Sequence, residues 1–337
     1  MLVLGIESTC DETACAVVED GTRILSNIVA SQIDLHKEYG GVVPELACRR
    51  HIDLIMPVID QALNQANKTL KDIDLVAVAH GPGLIGALLI GLNTAKSLAL
   101  AINKPFIGVN HIEAHLYAAI MSQEKPIHFP ALGVVLSGGH TTLVLIEELG
   151  KYKPISQTVD DAVGEAFDKV AKLLGFPYPG GPVIEKLAQN GNPYRFDLKA
   201  GQVKNQPLAF SFSGLKTAVL YTLQKLPKDE ELSKQDQCDI AASFQRAAFD
   251  DIVKKTFKAA EILQVKTLIL GGGVTNNLNL KNLFNKNFDG DKYQILWPSL
   301  GLSLDNAAMI AGLGYHTYIE KKCGDDIELE PLVRIPF

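Results

Sequence analysis

The segment His111-Ile112-Glu113-Ala114-His115 sets two imidazoles four residues apart. On a helix, positions i and i+4 share a face, so both rings can chelate one ion. A chelating pair needs a third ligand, and Asp11 and Asp305, from distant segments, are candidates. Two His and one carboxylate suit non-haem iron, with zinc or manganese as alternatives. The Glu stands two residues after the first His, so this is not the HExxH of a zincin protease. Taken alone, HxxxH is more often a pair of core or solvated histidines, and other segments must decide.

Three turns offer hydroxyls and open backbone. They are Glu7-Ser8-Thr9-Cys10-Asp11-Glu12-Thr13, Ser137-Gly138-Gly139-His140-Thr141, and Gly271-Gly272-Gly273-Val274-Thr275-Asn276-Asn277. Backbone N–H groups in such turns form anion-binding concavities. Each is an ordinary turn by itself; three at strand ends in one α/β chain point to a nucleotide. No GxxxxGK[ST] occurs, which excludes a P-loop. Gly81-Pro82-Gly83-Leu84-Ile85-Gly86 fits GxGxxG, but the next strand ends at Asn110-His111 without the ribose-binding acid. Those glycines are equally explained by a tight strand–helix turn and close packing. Asp161, Glu165 and Asp168 are spaced to share one helical face, which binds hydroxyls, a cation or a basic partner, or is simply solvated.

The elements that must position these groups alternate. LVLGIES and ACAVVED read as strands joined by a polar turn, and residues 131–148 repeat the plan around SGGHTT. Two hairpins that each open a half of the chain suggest an internal duplication. PELACRRHIDLIMPVIDQALNQA reads as an amphipathic helix, LVAVAH (75–80) and PFIGVN (105–110) as buried strands, and the latter leads into the helix of the two His. DDAVGEAFDKVAKLLG reads as a helix stopped by Gly175, FPYPGGP as a loop, DIAASFQRAAFDDIVKKTFKAAEIL as a long helix. TLILGGGVTNN runs from a strand into a turn, and a last helix starts near Asp305. The stretch near 195–235 looks like a polar, irregular insertion. Alternating strands and helices give an α/β class.

Composition sets the outer limits. With 337 residues, 47% hydrophobic, 21% charged and a net charge of -6, the chain is globular and not disordered, collagenous or coiled-coil. The length favours two domains. Five cysteines without CxxC argue against a disulfide framework or zinc knuckle and for a reduced, cytoplasmic setting. The first residues, MLVLGIESTC, lack the basic region of a signal peptide. Gly83–Ile102 is long enough to span a bilayer, but Asn93 and Lys96 inside it favour a buried helix and no membrane. The acidic balance argues against a strong stand-alone nucleic-acid binder, although Arg49-Arg50-His51 and Lys216 are candidates to guide an RNA.

Taken together, GIESTCDET, HKEYGGVVPELACRRH, GPGLIGALLIG, NHIEAH, LSGGHTTL, DDAVGEAFDKVAKLLG, YPGGP, FSFSGLKT, GGGVTNN and DNAAMIAGLG stand in an order and spacing that resembles the tRNA adenosine threonylcarbamoyltransferases, the TsaD family. The resemblance runs from residue 2 to about residue 315. It implies an actin/hexokinase/Hsp70-like (ASKHA) fold of two RNase H-like lobes with a nucleotide cleft between them. The N-terminal lobe is expected over 1–128, joined by a C-terminal helix at about 305–337, and the second lobe over 129–304. The implied reaction moves a threonylcarbamoyl group from threonylcarbamoyl-AMP to N6 of adenosine 37 in tRNAs reading codons that begin with A, releasing AMP.

The resemblance assigns the metal, Fe(2+) with Zn or Mn as alternatives, to His111, His115 and Asp305 and an acid pair to Asp11 and Glu12. It assigns adenylate or ATP binding to Val135, Leu136, Ser137, Gly138, Gly139, Asp168, Gly181, Glu185 and Asn277. Two departures stand out: Leu304 replaces the usual Thr or Ser before the metal aspartate, and Glu185 replaces a shorter acid. Implied partners are tRNA, a TsaB-like paralogue, a TsaE-like ATPase and an upstream threonylcarbamoyl-AMP synthase. Rival readings are a metallopeptidase (glycoprotease) and an ATP-binding kinase or chaperone-like protein on the same fold.

Overall fold

The structure, a computed structural model, describes residues 1–123, 126–226, 232–288, 290 and 292–335. The chain forms two compact units, Met1–Pro126 with Trp297–Phe337, and Ile127–Leu296.

In the first unit the strands are β1 (Leu2–Glu7), β2 (Glu12–Glu19), β3 (Arg23–Ser31), β4 (Leu75–Gly81) and β5 (Phe106–Asn110). They lie in the order β3-β2-β1-β4-β5. The β1–β2 and β2–β3 pairs are antiparallel, and β1–β4 and β4–β5 are parallel. The helices are α1 (Ile33–Lys37), α2 (Pro44–Gln65), α3 (Ile85–Ile102) and α4 (His111–Ile120), with α10 (Ala307–Lys321) returning from the far end of the chain.

Strand alternation sorts the side chains of β1. Leu4 and Ile6 enter a core with Ile55 and Ile59 of α2 and Leu92 and Ala95 of α3. Each buried Leu or Ile here contributes roughly 1.5–3 kcal/mol. Gly5 and Glu7 face the other way. A Cβ on Gly5 would collide with the Ala307 carbonyl and lie 2.8 Å from Ala311 Cβ, so α10 sits directly on β1. Lys96, the charge inside the apolar α3, donates to the Leu329 carbonyl at 2.6 Å. The helix is long and apolar enough to cross a membrane, and here one face packs on β4 and α2.

The second unit repeats the plan. Its strands are β6 (Ala131–Leu136), β7 (Thr141–Glu148), β8 (Lys151–Gln157), β9 (Thr267–Gly271) and β10 (Gln294–Leu296), in the order β10-β9-β6-β7-β8. The hairpin partners are antiparallel and β6–β9 and β9–β10 are parallel, as in the first sheet. Helices α5 (Val163–Leu173), α6 (Gly180–Ala188), α7 (Ser213–Lys225), α8 (Lys234–Leu263) and α9 (Leu278–Asn287) complete it. Phe167 packs against Phe244 and Phe249 with ring centroids 4.9 and 5.3 Å away, joining α5 to α8.

Several expectations need correction. Each hairpin continues into a third strand, β3 and β8, whose half-exposed, mixed sequences give little alternation. The insertion near 195–235 is not wholly irregular: α7 lies within it, and residues 227–231 fall outside the described residues. The loop expected at FPYPGGP ends early, because α6 starts at Gly180. The last helix stops at Lys321, where Lys322 adopts φ +60°, so it does not run to 337. The contact boundaries fall at 126/127 and 296/297.

Candidate active site and metal centre

Three side chains converge at the carboxyl ends of β1 and β5. His111 opens α4 directly after β5, and Asn110 caps that helix, its Oδ1 accepting from Ile112 N at 2.9 Å. One turn on, His115 lies edge-on to His111, with centroids 4.6 Å apart. Asp305 precedes α10. Its segment is tied down by Asn306, whose Oδ1 caps the helix at Met309 N and whose Nδ2 donates to the carbonyls of Leu302 and Leu304. Asp305 Oδ1 is 3.6 Å from His111 Nε2 and 3.2 Å from His115 Nε2. The three ligand atoms all lie within 4.8 Å of one another.

The surroundings are acidic. Glu7, at the end of β1, is fully buried and accepts from His111 Nδ1 at 2.9 Å and from Thr9 N at 2.6 Å. Burial pushes the His111 imidazolium down, but the charges of Glu7 and Asp305 outweigh it and hold its pKa up to about 9. Glu12 is driven well above the usual carboxylate range by burial, then by the charges of Asp305 and Asp11. The pocket therefore holds more negative charge than its own histidines neutralise. Among the described residues, both nitrogens of the fully buried His115 lack a hydrogen-bond partner. Orphaned imidazole nitrogens, a carboxylate 3.2 Å away and surplus negative charge fit a divalent cation on His111, His115 and Asp305.

The turn that carries Asp11 and Glu12 is braced from α2. His51 is fully buried, with Nδ1 2.7 Å from Thr13 Oγ1 and Nε2 2.9 Å from the Cys10 carbonyl. That removes His51 from the residues expected to guide RNA; Arg49 and Arg50 beside it are exposed, and Lys216 on α7 is half-buried.

In the second unit the residues expected to border a nucleotide form a closed circuit of contacts. The Ser137 carbonyl accepts from Gly164 N at 3.2 Å, at the start of α5. One turn along α5, Asp168 Oδ1 accepts from Gly180 N at 2.6 Å, at the start of α6. Glu185 of α6 accepts from Leu278 N at 2.8 Å, at the start of α9. Asn277 caps α9 through Asn279 N and donates to Gln245 of α8 at 2.9 Å. Gly272, at φ +92°, presses on the Leu136 carbonyl and returns the circuit to the Ser137 turn. Gly138 and Gly139 are exposed, with open space where a Cβ would stand, and so is the corresponding space at Gly181.

Comparison with known proteins places the chain in a family. Residues 23–312 match the profile of the TsaD family, tRNA N6-adenosine threonylcarbamoyltransferase. A tRNA N6-adenosine threonylcarbamoyltransferase of Protochlamydia amoebophila is 69% identical over 339 residues, covering 100% of this chain and 98% of that protein. One from Symbiobacterium thermophilum is 50% identical, covering 94% and 92%. The chain belongs to this family. Among solved structures, full-length HypF in its phosphate- and nucleotide-bound form matches 95% of the chain at 12% identity with a TM-score of 0.61, this chain spanning 46% of HypF. Component A of the Acidaminococcus fermentans (R)-2-hydroxyglutaryl-CoA dehydratase matches 95% of this chain and 99% of its own length at 16% identity and a TM-score of 0.52. At such identities the likeness is one of fold: the actin/hexokinase/Hsp70-like class, with one five-stranded sheet per unit.

Within a TsaD-family chain, the residues anticipated from sequence fall into two sets. His111, His115, Asp305, Asp11 and Glu12 lie together in the first unit; Val135 to Gly139, Asp168, Gly181, Glu185 and Asn277 belong to the second. Val135 and Leu136 have fully buried side chains, so only their backbone is available to a ligand. The acidic helix face is not as expected. Asp161 precedes α5, and Lys169 binds both it, at 2.7 Å, and Glu165, at 2.9 Å. The GxGxxG glycines serve packing: Cβ atoms on Gly83 and Gly86 would meet Thr9 and Cys48. Leu304 is 57% exposed, so its side chain could not brace Asp305 from within. Sequence reasoning missed Glu7 as the partner of His111 and Asn306 as the anchor of Asp305. The first could have been found from an acid at the end of a wholly apolar strand, and the second from the Asn cap signal before AAMIAG.

Proposed function

We propose that this transferase, which acts on tRNA as its family does, takes the threonylcarbamoyl group from threonylcarbamoyl-AMP and delivers it to N6 of adenosine 37 in tRNAs reading codons that begin with A. The observation that carries the reading is the convergence of His111, His115 and Asp305 in a chain of this family. A divalent ion held there, Fe(2+) before Zn or Mn on the two-His, one-carboxylate donor set, would supply Lewis acidity toward the carbamoyl carbonyl.

The chain's own groups do the rest. The exposed backbone at Gly138 and Gly139 offers N–H donors to charge developing on the acyl oxygen. Asp168, Gly181, Glu185 and Asn277 border the adenylate, with ATP as the alternative nucleotide. The N6 nitrogen forms a bond to the carbamoyl carbon as the bond from that carbon to the phosphate oxygen breaks. Asp11 or Glu12 accepts the proton that N6 gives up, and AMP leaves with the electron pair.

The donor comes from a threonylcarbamoyl-AMP synthase, and a TsaB-like paralogue and a TsaE-like ATPase assist on tRNA, in keeping with a net charge of -6. The setting is the cytoplasm, in keeping with five free thiols. The test is reconstitution with ATP, threonine, bicarbonate, these partners and unmodified tRNA. Mass spectrometry of the digested tRNA is expected to show threonylcarbamoyladenosine. Chelator-sensitive cleavage of a protein substrate, without modified tRNA, would favour the peptidase reading.

A further inference from the structure

We infer that Glu7 is a positioning residue: its two carboxylate oxygens together fix the ring of His111 and the turn that carries Asp11 and Glu12. The inference rests on the metal reading above and concerns how the protein presents its ligands.

Glu7 closes β1 on the face turned toward α10, two residues after the Gly5 that lets α10 pack so closely. It is fully buried, and an acid there needs a reason. Its oxygens diverge. Oε2 accepts from His111 Nδ1 at 2.9 Å, and Oε1 accepts from Thr9 N at 2.6 Å. With Nδ1–H donated to Glu7, Nε2 is the nitrogen turned toward Asp305, and it is the one that gives up its proton when a metal binds. That leaves the tautomer an Nε2 metal ligand requires.

The two histidines differ in this respect. His115 Nδ1 has no hydrogen-bond partner, so Glu7 orients one ring of the pair and nothing equivalent, among the described residues, orients the other. The Thr9 contact extends the role of Glu7. Thr9 leads into Cys10, whose carbonyl is held by His51, and then into Asp11 and Glu12. One carboxylate thus sets the registry between the helix that supplies two ligands and the turn that supplies the acid pair.

The chemistry explains why an amide will not serve. Both partners of Glu7 are donors, so the position must accept twice. Glutamine accepts once and donates once. If its NH2 turns to His111, Nδ1 must become the acceptor, the proton moves to Nε2, and Nε2 can no longer ligate. If its NH2 turns to Thr9 N, two donors oppose one another and the turn shifts.

The experiment measures Zn(2+) affinity by chelator competition for the wild-type chain, Glu7→Gln and Glu7→Asp. Loss of such an outer partner typically weakens metal binding about 10–100-fold. Glu7→Gln is expected to lose affinity in that range with unchanged circular dichroism, and Glu7→Asp to recover part of it. Affinity within twofold of wild type for Glu7→Gln overturns the inference. A second measurement needs no variant: long-range 1H–15N correlation on the zinc-loaded wild-type chain is expected to show His111 ligated through Nε2 with a proton on Nδ1. Ligation through Nδ1, or no Nδ1 proton, overturns it even if the variants do not fold. Wild-type protein that binds no zinc, iron or manganese would instead sink the metal reading itself.

Discussion

The two units share a strand order but differ in what they place at the strand ends. In the first, the β1–β2 turn and the starts of α4 and α10 carry Glu7, Asp11, Glu12, His111, His115 and Asp305. In the second, the equivalent β6–β7 turn carries Ser137, Gly138 and Gly139, and its neighbours are joined mainly through helix N-termini. One scaffold thus supports two kinds of electrostatics. The first concentrates side-chain charge in a buried pocket, which suits a cation. The second leaves backbone N–H groups open, which suits an anion. The comparison shows that a duplicated fold fixes where a site forms, while the turn residues fix its sign.

The sharpest way to break this contrast is to remove the imidazoles. His111→Ala with His115→Ala should lower metal affinity more than about 100-fold, since two of three protein ligands are gone. Elemental analysis of protein purified without oxygen checks it. AMP affinity, proposed above to reside in the second unit and followed by calorimetry, should stay within a few-fold of wild type. Retained metal content would show that the charged pocket is not a metal centre.

A second contrast is in pH. In metal-free protein, His111 is held up to about 9 by Glu7 and Asp305 against burial. A base with a raised folded pKa contributes stability that is present below its unfolded value and lost as pH rises through the folded one. The window is therefore from about 6.5 to 9. The acid Glu113, raised by burial to about 7, has the same sign at the lower end of this window. Metal-free first unit should lose on the order of 3 kcal/mol across it, and bound zinc should abolish the slope. The sole tryptophan, Trp297, lies in this unit and reports its melting. In the second unit, Asp160 and Asp239 are lowered despite burial, by Ser211 and Ser213 and by Arg195 respectively. Their contribution is present above the usual carboxylate pKa and fades only in acid, so the opening free energy of this unit, from amide exchange corrected for its base-catalysed intrinsic rate, should be flat between pH 6.5 and 9.

Much of this was legible from residue order. The hairpins, α2 to α4 and α8 follow from apolar spacing because those segments are long or wholly buried. The metal triad was legible only in part: i, i+4 spacing pairs the two His, whereas the meeting with Asp305, 190 positions beyond His115, depends on α10 crossing β1. What escaped was second in line from the chemistry. Glu7 looked like a turn residue because nothing in its neighbourhood of sequence contains His111, 104 residues away. The acid face of α5 was misread because helical spacing was extended over Asp161, ahead of the real start at Val163, and Lys169 was left out of the count.

Glycine substitutions sharpen the comparison further. Gly5→Ala in the first unit forces a Cβ against the Ala307 carbonyl, and Gly272→Ala in the second forces one against the Leu136 carbonyl at an unfavourable φ of +92°. Both neighbours are backbone and cannot swing aside, so each change should cost about 1–3 kcal/mol by denaturant titration. The functional consequences should separate. Gly5→Ala displaces the start of α10 and with it Asp305, so it should weaken zinc binding. Gly272→Ala disturbs the Ser137 turn, so it should weaken nucleotide binding. A crossed pattern would mean that the two constructions are not independent.

The smallest stability effect belongs to Gly138→Ala. No atom lies within 4 Å of the Cβ this would add, and its φ is outside the left-handed range. Stability should therefore change by no more than about 0.5 kcal/mol, as for other exposed substitutions. If the open backbone there exists for a ligand, the added methyl still stands where that ligand must approach. AMP affinity should then fall about tenfold, or roughly 1.4 kcal/mol, with no change in melting. Loss of binding without loss of fold is what distinguishes a turn left open for chemistry from one that is merely at the surface, and equal AMP affinity in the two proteins would make Gly138 the latter.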